Sequence, residues 1–207
     1  FDPGMLYYAP QGWISDDTDA AERVRIQYGT SMCYPISSMG SHVSVVPNHQ
    51  LNRITSLHTR ANVAYFGTFG YELDLNKLTD EEIAEVKAQI IFMKEYRELI
   101  QFGNFYRLKS PFDGNETVWM TVSEDKRKAL VFWYRERNVV NAEFTRVRLQ
   151  GLDPDLIYKN EYNGTENYGD ELMNLGLLTT DVTAGEPTNE DLPCTDYESR
   201  IYVLTAE

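Results

Sequence analysis

Metal-binding and redox patterns are missing from this chain. It holds two cysteines, Cys33 and Cys194, and three histidines, His42, His49 and His58. None of them has the spacing of a zinc site or a thiol redox pair, so no metal and no cofactor is expected. So few thiols, read as free, point to a reducing, cytoplasmic location. Two further absences, a glycine-rich phosphate loop and a nucleophilic serine or cysteine motif, argue against phosphate-cradling and acyl-transfer chemistry. No apolar run approaches the roughly 18–20 residues of a membrane span, and the start has no signal-peptide pattern. Positive charge is in short supply too. Thirty-two acidic residues against 19 basic ones leave −13, which repels nucleic acid and anionic membranes and suits a neutral substrate. Phe1-Asp2-Pro3-Gly4 lacks an initiator methionine and is expected to continue an earlier loop.

Aromatic residues, by contrast, are plentiful: 14 Tyr, 9 Phe and 3 Trp. Their affinity for β-sheets accounts for most of them. Their flat faces also suit the apolar C–H patches of sugar rings.

Residues 1–102 alternate short apolar segments with helical patterns. Leu6-Tyr7-Tyr8 and Gly12-Trp13-Ile14 read as extended, followed by a helix over about Ala20 to Tyr28. Ser41 to Val46 reads as a strand, Thr59 to Phe66 as a helix and Phe69 to Leu75 as a strand. Thr79 and Glu82 form a capping box for a helix to about Gln101, with Ile83, Val86, Ile90, Met93 and Ile100 on one face. This β-α-β-α-β-α order predicts a parallel sheet covered by helices, too short to close a barrel alone.

From residue 103 the period changes. Asn104–Leu108, Val118–Val122, Ala129–Tyr134, Thr145–Leu149, Leu156–Asn160 and Ile201–Leu204 read as strands with no long helix between them. Residues 103–207 are therefore expected to form an antiparallel β-sandwich, with Thr183 to Asp196 a polar loop.

One segment carries candidate chemistry. In Trp13-Ile14-Ser15-Asp16-Asp17-Thr18-Asp19-Ala20, a strand ends and a helix begins with three carboxylates crowding the junction. Helix capping explains one or two of them. The surplus suggests a catalytic acid, because barrel enzymes place reacting groups at strand tips.

The run Phe1 to Gln11, the segment Trp13 to Ala20, Ile26 to Ser31, Met39 to Ser44, Val46 to Gln50 and Phe69 to Leu75 closely resemble glycoside hydrolase family 36. Leu172 to Leu177 carries a weaker likeness. The resemblance implies the C-terminal part of a (β/α)8 TIM barrel followed by a β domain. It implies part of a retaining α-galactosidase acting on melibiose- and raffinose-type sugars. In the family's tryptophan-x-serine-aspartate motif the aspartate after serine is the general acid/base, here Asp16. Asp17 and Asp19 are then caps or ion-pair partners. Such an acid must hold its proton when substrate binds, which calls for burial or a neighbouring carboxylate. The resemblance places the nucleophile and a sugar-binding loop upstream of Phe1, so the isolated chain is expected to be inactive.

Trp13 is expected to border the sugar, with core packing as the alternative. Asn48 and His49 follow the next strand and are expected at the pocket rim. Glu72 is read as an ion-pairing residue of the barrel. The expected partners are an α-galactoside, the remainder of the parent enzyme and, through open sheet edges, further copies in a homo-oligomer. Two other readings stay open. The parent transfers galactosyl groups or accepts N-acetylgalactosamine, or the chain is a non-catalytic interaction fragment of β type.

Overall fold

The computed structural model describes residues 2–139, 144–179 and 196–206. The chain divides into two compact units, Phe1–Phe102 and Gly103–Glu207.

The first unit opens with a short 3-10 helix, Pro3–Tyr7, whose N-terminus is capped by the Asp2 carboxylate accepting from the Gly4 amide at 2.8 Å. The extended reading of Leu6-Tyr7-Tyr8 is thereby corrected. An acidic cap followed by a proline with preset φ outweighs the β preference of two tyrosines.

Six elements follow in strict alternation: β1 (Gly12–Trp13), α1 (Ala20–Thr30), β2 (Met39–Ser44), α2 (Leu57–Ala64), β3 (Thr68–Glu72) and α3 (Asp80–Phe102). The strands form one parallel sheet in the order β1-β2-β3, with Trp13 opposite Gly40 and His42 opposite Gly70. The capping box at α3 is reciprocal: the Thr79 amide donates to Glu82 at 2.9 Å and the Glu82 amide to Thr79 Oγ1 at 3.2 Å. Val86, Gln89, Met93, Tyr96 and Ile100 make its buried stripe, while Ile83 and Ile90 are half-buried.

The two sheet faces differ. Ser41 and Val43 are buried on the helix side, where the Ser41 hydroxyl donates to Gln27 Oε1 at 2.9 Å. Gln27 Nε2 in turn donates to the carbonyls of Val63 and Phe66, tying α1 to the end of α2. Tyr71 reaches Gln89 Oε1 of α3 at 2.7 Å, and Phe69 stacks on Tyr65. The opposite face carries Trp13, Gly40, His42 and Gly70. A Cβ at Gly70 would come within 3.0 Å of the His42 ring, so glycine gives that imidazole its room.

The second unit contains β4 (Asn104–Lys109), β5 (Glu116–Val122), β6 (Lys128–Arg135), β7 (Arg146–Val147), β8 (Ile157–Asn160), β9 (Glu166–Tyr168), α4 (Gly169–Asn174), β10 (Leu177–Leu178) and β11 (Glu198–Ala206). A six-stranded antiparallel sheet runs β4-β5-β6-β11-β8-β9. The β5–β6 turn is closed by Ser123, which donates to Asp125 and accepts from the Lys128 amide. One face of this sheet, through Val118, Met120, Val131, Trp133 and Leu204, meets Val147, Leu149, Leu172 and Leu177 in a common core. Among the described residues the expected sandwich is lopsided, its second layer being the β7–β10 pair and the short helix α4. Most of the expected polar loop, Thr183 to Asp196, lies outside the described residues, as does Cys194.

Candidate active site

Three aspartates stand in the β1–α1 loop, and each is used differently. Asp19 caps α1: its Oδ1 accepts from the amides of Ala21 at 3.0 Å and Glu22 at 3.1 Å. It is buried and ion-paired with Arg53. Asp17 builds the turn before it, accepting from the Asp19 amide at 3.0 Å while its own amide donates to Ser15 Oγ at 3.0 Å. Asp16 does neither. Its carboxylate is exposed, and its Oδ1 accepts the indole N–H of Trp13 at 3.1 Å.

Beneath this loop lies a guanidinium. Arg23, on the buried side of α1, donates through Nη2 to the Ser15 carbonyl at 2.6 Å and through Nε to the Asp17 carbonyl at 2.6 Å. Its Nη1 reaches the Gly40 carbonyl of β2 at 3.1 Å. Burial lowers the pKa of Arg23, and the charges of Asp17, Glu72 and Asp16 oppose that shift. His42 lies against Trp13 with ring centroids 4.4 Å apart. Burial, followed by the Arg23 charge, holds its imidazole below the ordinary value of 6.5, against the pull of Glu72 at the end of β3.

The β2–α2 loop joins the same edge of the sheet, where all three parallel strands end. Asn48 is buried and its Oδ1 accepts from the amides of Gln50 and Leu51, both at 2.9 Å. Its Nδ2 lies 3.4 Å from Thr18 Oγ1, so this amide shapes its own loop and ties it to the one carrying Asp16. His49 beside it is exposed. Trp13 is 48% exposed, so it is not a core residue among these elements. Hydrophobic enclosure of Asp16, one of the two conditions expected for a general acid, is not supplied by the described residues of this unit.

Among the described residues no three His, Cys, Asp or Glu side chains gather as a metal site. No helix there is long and apolar enough to cross a membrane.

Arg23 and His42 were not singled out from the sequence. The available signal was position: Arg23 falls on the stripe of Ala20, Val24 and Gln27 that α1 buries, where a charge must have dedicated partners.

The Melibiase family profile matches residues 1–103, and that of the glycosyl hydrolase family 36 C-terminal domain matches residues 116–204. Parallel β/α units followed by an antiparallel β domain, together with these matches, define the class as a glycoside hydrolase. The chain belongs to glycoside hydrolase family 36. It is 56% identical over 177 residues to the α-galactosidase AgaA of Geobacillus stearothermophilus, a match covering 86% of this chain and 24% of that protein. The crystal structure of AgaA superimposes with a TM-score of 0.91 at 50% identity, over 100% of this chain and 27% of the other. Variants of AgaA have been crystallised with raffinose and with stachyose. The chain thus spans about a quarter of the length of these relatives.

Proposed function

We propose that this chain supplies the general acid/base carboxylate, Asp16, to a retaining α-galactosidase that removes terminal α-galactosyl groups from melibiose- and raffinose-type sugars. The observation that carries the reading is the division of labour in the β1–α1 loop. Capping and turn formation use Asp19 and Asp17, and Asp16 is left exposed at the strand tip against an indole. With Oδ1 held by Trp13, the neutral acid carries its proton on Oδ2, the oxygen free to meet a departing glycosidic oxygen. That proton passes to the leaving sugar. The resulting carboxylate then deprotonates the water that releases galactose from the enzyme.

Retaining hydrolysis needs a second carboxylate roughly 5–5.5 Å from the first. In this reading it comes from the rest of the parent enzyme, together with the sugar-binding loop. β1 and β3 each pair on one side only within the described sheet, which leaves edges for further barrel strands. Trp13 and His49, exposed at and beyond the ends of β1 and β2, are assigned to the substrate side, and Asn48 acts by shaping the loop. The uncharged sugar suits a chain of net charge −13, and the exposed thiol of Cys33 suits the cytoplasm. Open edges and the relatives' greater length favour assembly with the parent and with further copies.

The test is leaving-group dependence in the full-length enzyme. Asp16→Ala should lose about 10²–10⁴-fold in kcat/KM on melibiose and far less on a dinitrophenyl α-galactoside, whose leaving group needs no proton. Small, equal losses on both would reject the role.

A further inference from the structure

We propose that Arg23 is the positioning residue for the acid/base, fixing Asp16 by binding the backbone on both sides of it. The inference rests on the acid/base reading of Asp16. A carboxylate on a loop works as a proton donor only if held within roughly half an ångström of its productive place. Residue 16 hangs between two peptide carbonyls, those of Ser15 and Asp17, and one guanidinium takes both at 2.6 Å. The third arm of the same planar group binds Gly40 O at 3.1 Å, so the loop is referred to the neighbouring strand rather than to itself. Arg23 is 2% exposed, which leaves the fork no other orientation. The Trp13 ring lies over it, 5.9 Å from centroid to guanidinium carbon, and that indole holds the carboxylate oxygen. Backbone and side chain of Asp16 are thus fixed by two groups that also touch each other.

The next β/α unit shows what a merely structural arginine looks like. Arg60 of α2, also buried, donates to the Ser44 carbonyl at the end of β2 at 2.6 Å. It braces a strand end, and no candidate acid stands between its contacts.

The experiment compares Arg23→Gln, Arg23→Lys, Arg60→Gln and Asp16→Ala in the full-length enzyme on melibiose and on a dinitrophenyl α-galactoside, with thermal melting as the check on folding. Displacement of the acid by about 1 Å should cost Arg23→Gln about 10²-fold in kcat/KM on melibiose. The aryl substrate should suffer several-fold less, and Arg23→Lys should recover part of the difference. Arg60→Gln should lose equally on both. Should Arg23→Gln fail to melt cooperatively, Arg23→Lys carries the comparison, because it keeps the buried cation but cannot span three carbonyls. Equal losses on both substrates for the folded Arg23 variants, with Asp16→Ala showing the split, would overturn the role of Arg23 alone. No split in Asp16→Ala would overturn the acid/base reading and the Arg23 proposal with it.

Discussion

The indole N–H of Trp13 and the carboxylate of Asp16 meet at 3.1 Å across one turn of loop, while the same indole lies against His42 at 4.4 Å. Trp13 therefore joins the candidate acid to the face of the sheet away from the helices.

Trp13→Phe separates the two contacts. The phenyl ring keeps most of the stacking on His42 and removes the donor to Asp16. Without the donor the carboxyl can turn away from the glycosidic oxygen, so the variant should lose about tenfold or more in kcat/KM on melibiose. Its melting temperature should stay close to that of the parent. A large fall in stability with unchanged kinetics would mean that the indole serves packing alone.

His42 gives the first unit a pH signature. In the unfolded chain it titrates near 6.5, and burial beside Trp13 and Arg23 lowers that value in the folded state, against Glu72. Between 6.5 and the lowered folded value the unfolded chain binds more protons. Stability therefore falls as the pH falls through that window and is fully present above it. His42→Gln should flatten this slope, as read from urea midpoints of the full-length enzyme at mildly acidic and neutral pH. An unchanged slope would show that other groups set the acid sensitivity.

Elements with local signals were legible in the sequence. The capping box and apolar stripe of α3 announced it, and the charged turn Ser123–Lys128 announced the β5–β6 hairpin. Elements that depend on partners were not. Of the strand expected over Thr145–Leu149 only Arg146–Val147 pairs, as β7, and its partner β10, like β9 and α4, was missed for its brevity. At the candidate site, residue types alone could not separate Asp16 from Asp17 and Asp19. The structure separates them by hydrogen bonds between residues two or three apart within one irregular loop, where neither the strand nor the helix period applies. Arg23 acts on backbone carbonyls, which leave no mark on sequence spacing.

Gly176 ends α4 with φ of 92°, and its amide donates to the Glu171 carbonyl at 3.2 Å. A Cβ there would approach the Val147 carbonyl group to 2.9 Å. Gly176→Ala should therefore cost more than about 1 kcal/mol, through both left-handed backbone strain and contact with β7. Thermal denaturation of the full-length enzyme checks this, and a neutral effect would show that the β7–β10 layer yields freely.

The sharpest contrast lies between Asp16 and Asp19, three residues apart in one loop. Asp19 is buried, caps α1 with two amides and pairs with Arg53. Removing it takes away one of the two carboxylates that Arg53 pairs with, leaving Glu22 at 3.5 Å, and uncaps the helix. Asp19→Ala should destabilise by about 1–3 kcal/mol, through the lost cap and the weakened ion pair. Asp16 is exposed and caps nothing, so Asp16→Ala should change stability by no more than about 0.5 kcal/mol while removing turnover of unactivated sugars. Asp19→Asn, which keeps the capping oxygen, should fall between the two in stability and, once folded, should show no preference for activated substrates. Denaturant midpoints and the two-substrate comparison, run on the same preparations, decide the matter. If Asp16→Ala unfolds the protein, or folded Asp19→Asn shows the leaving-group split, the assignment of chemistry to one aspartate and architecture to the other is wrong.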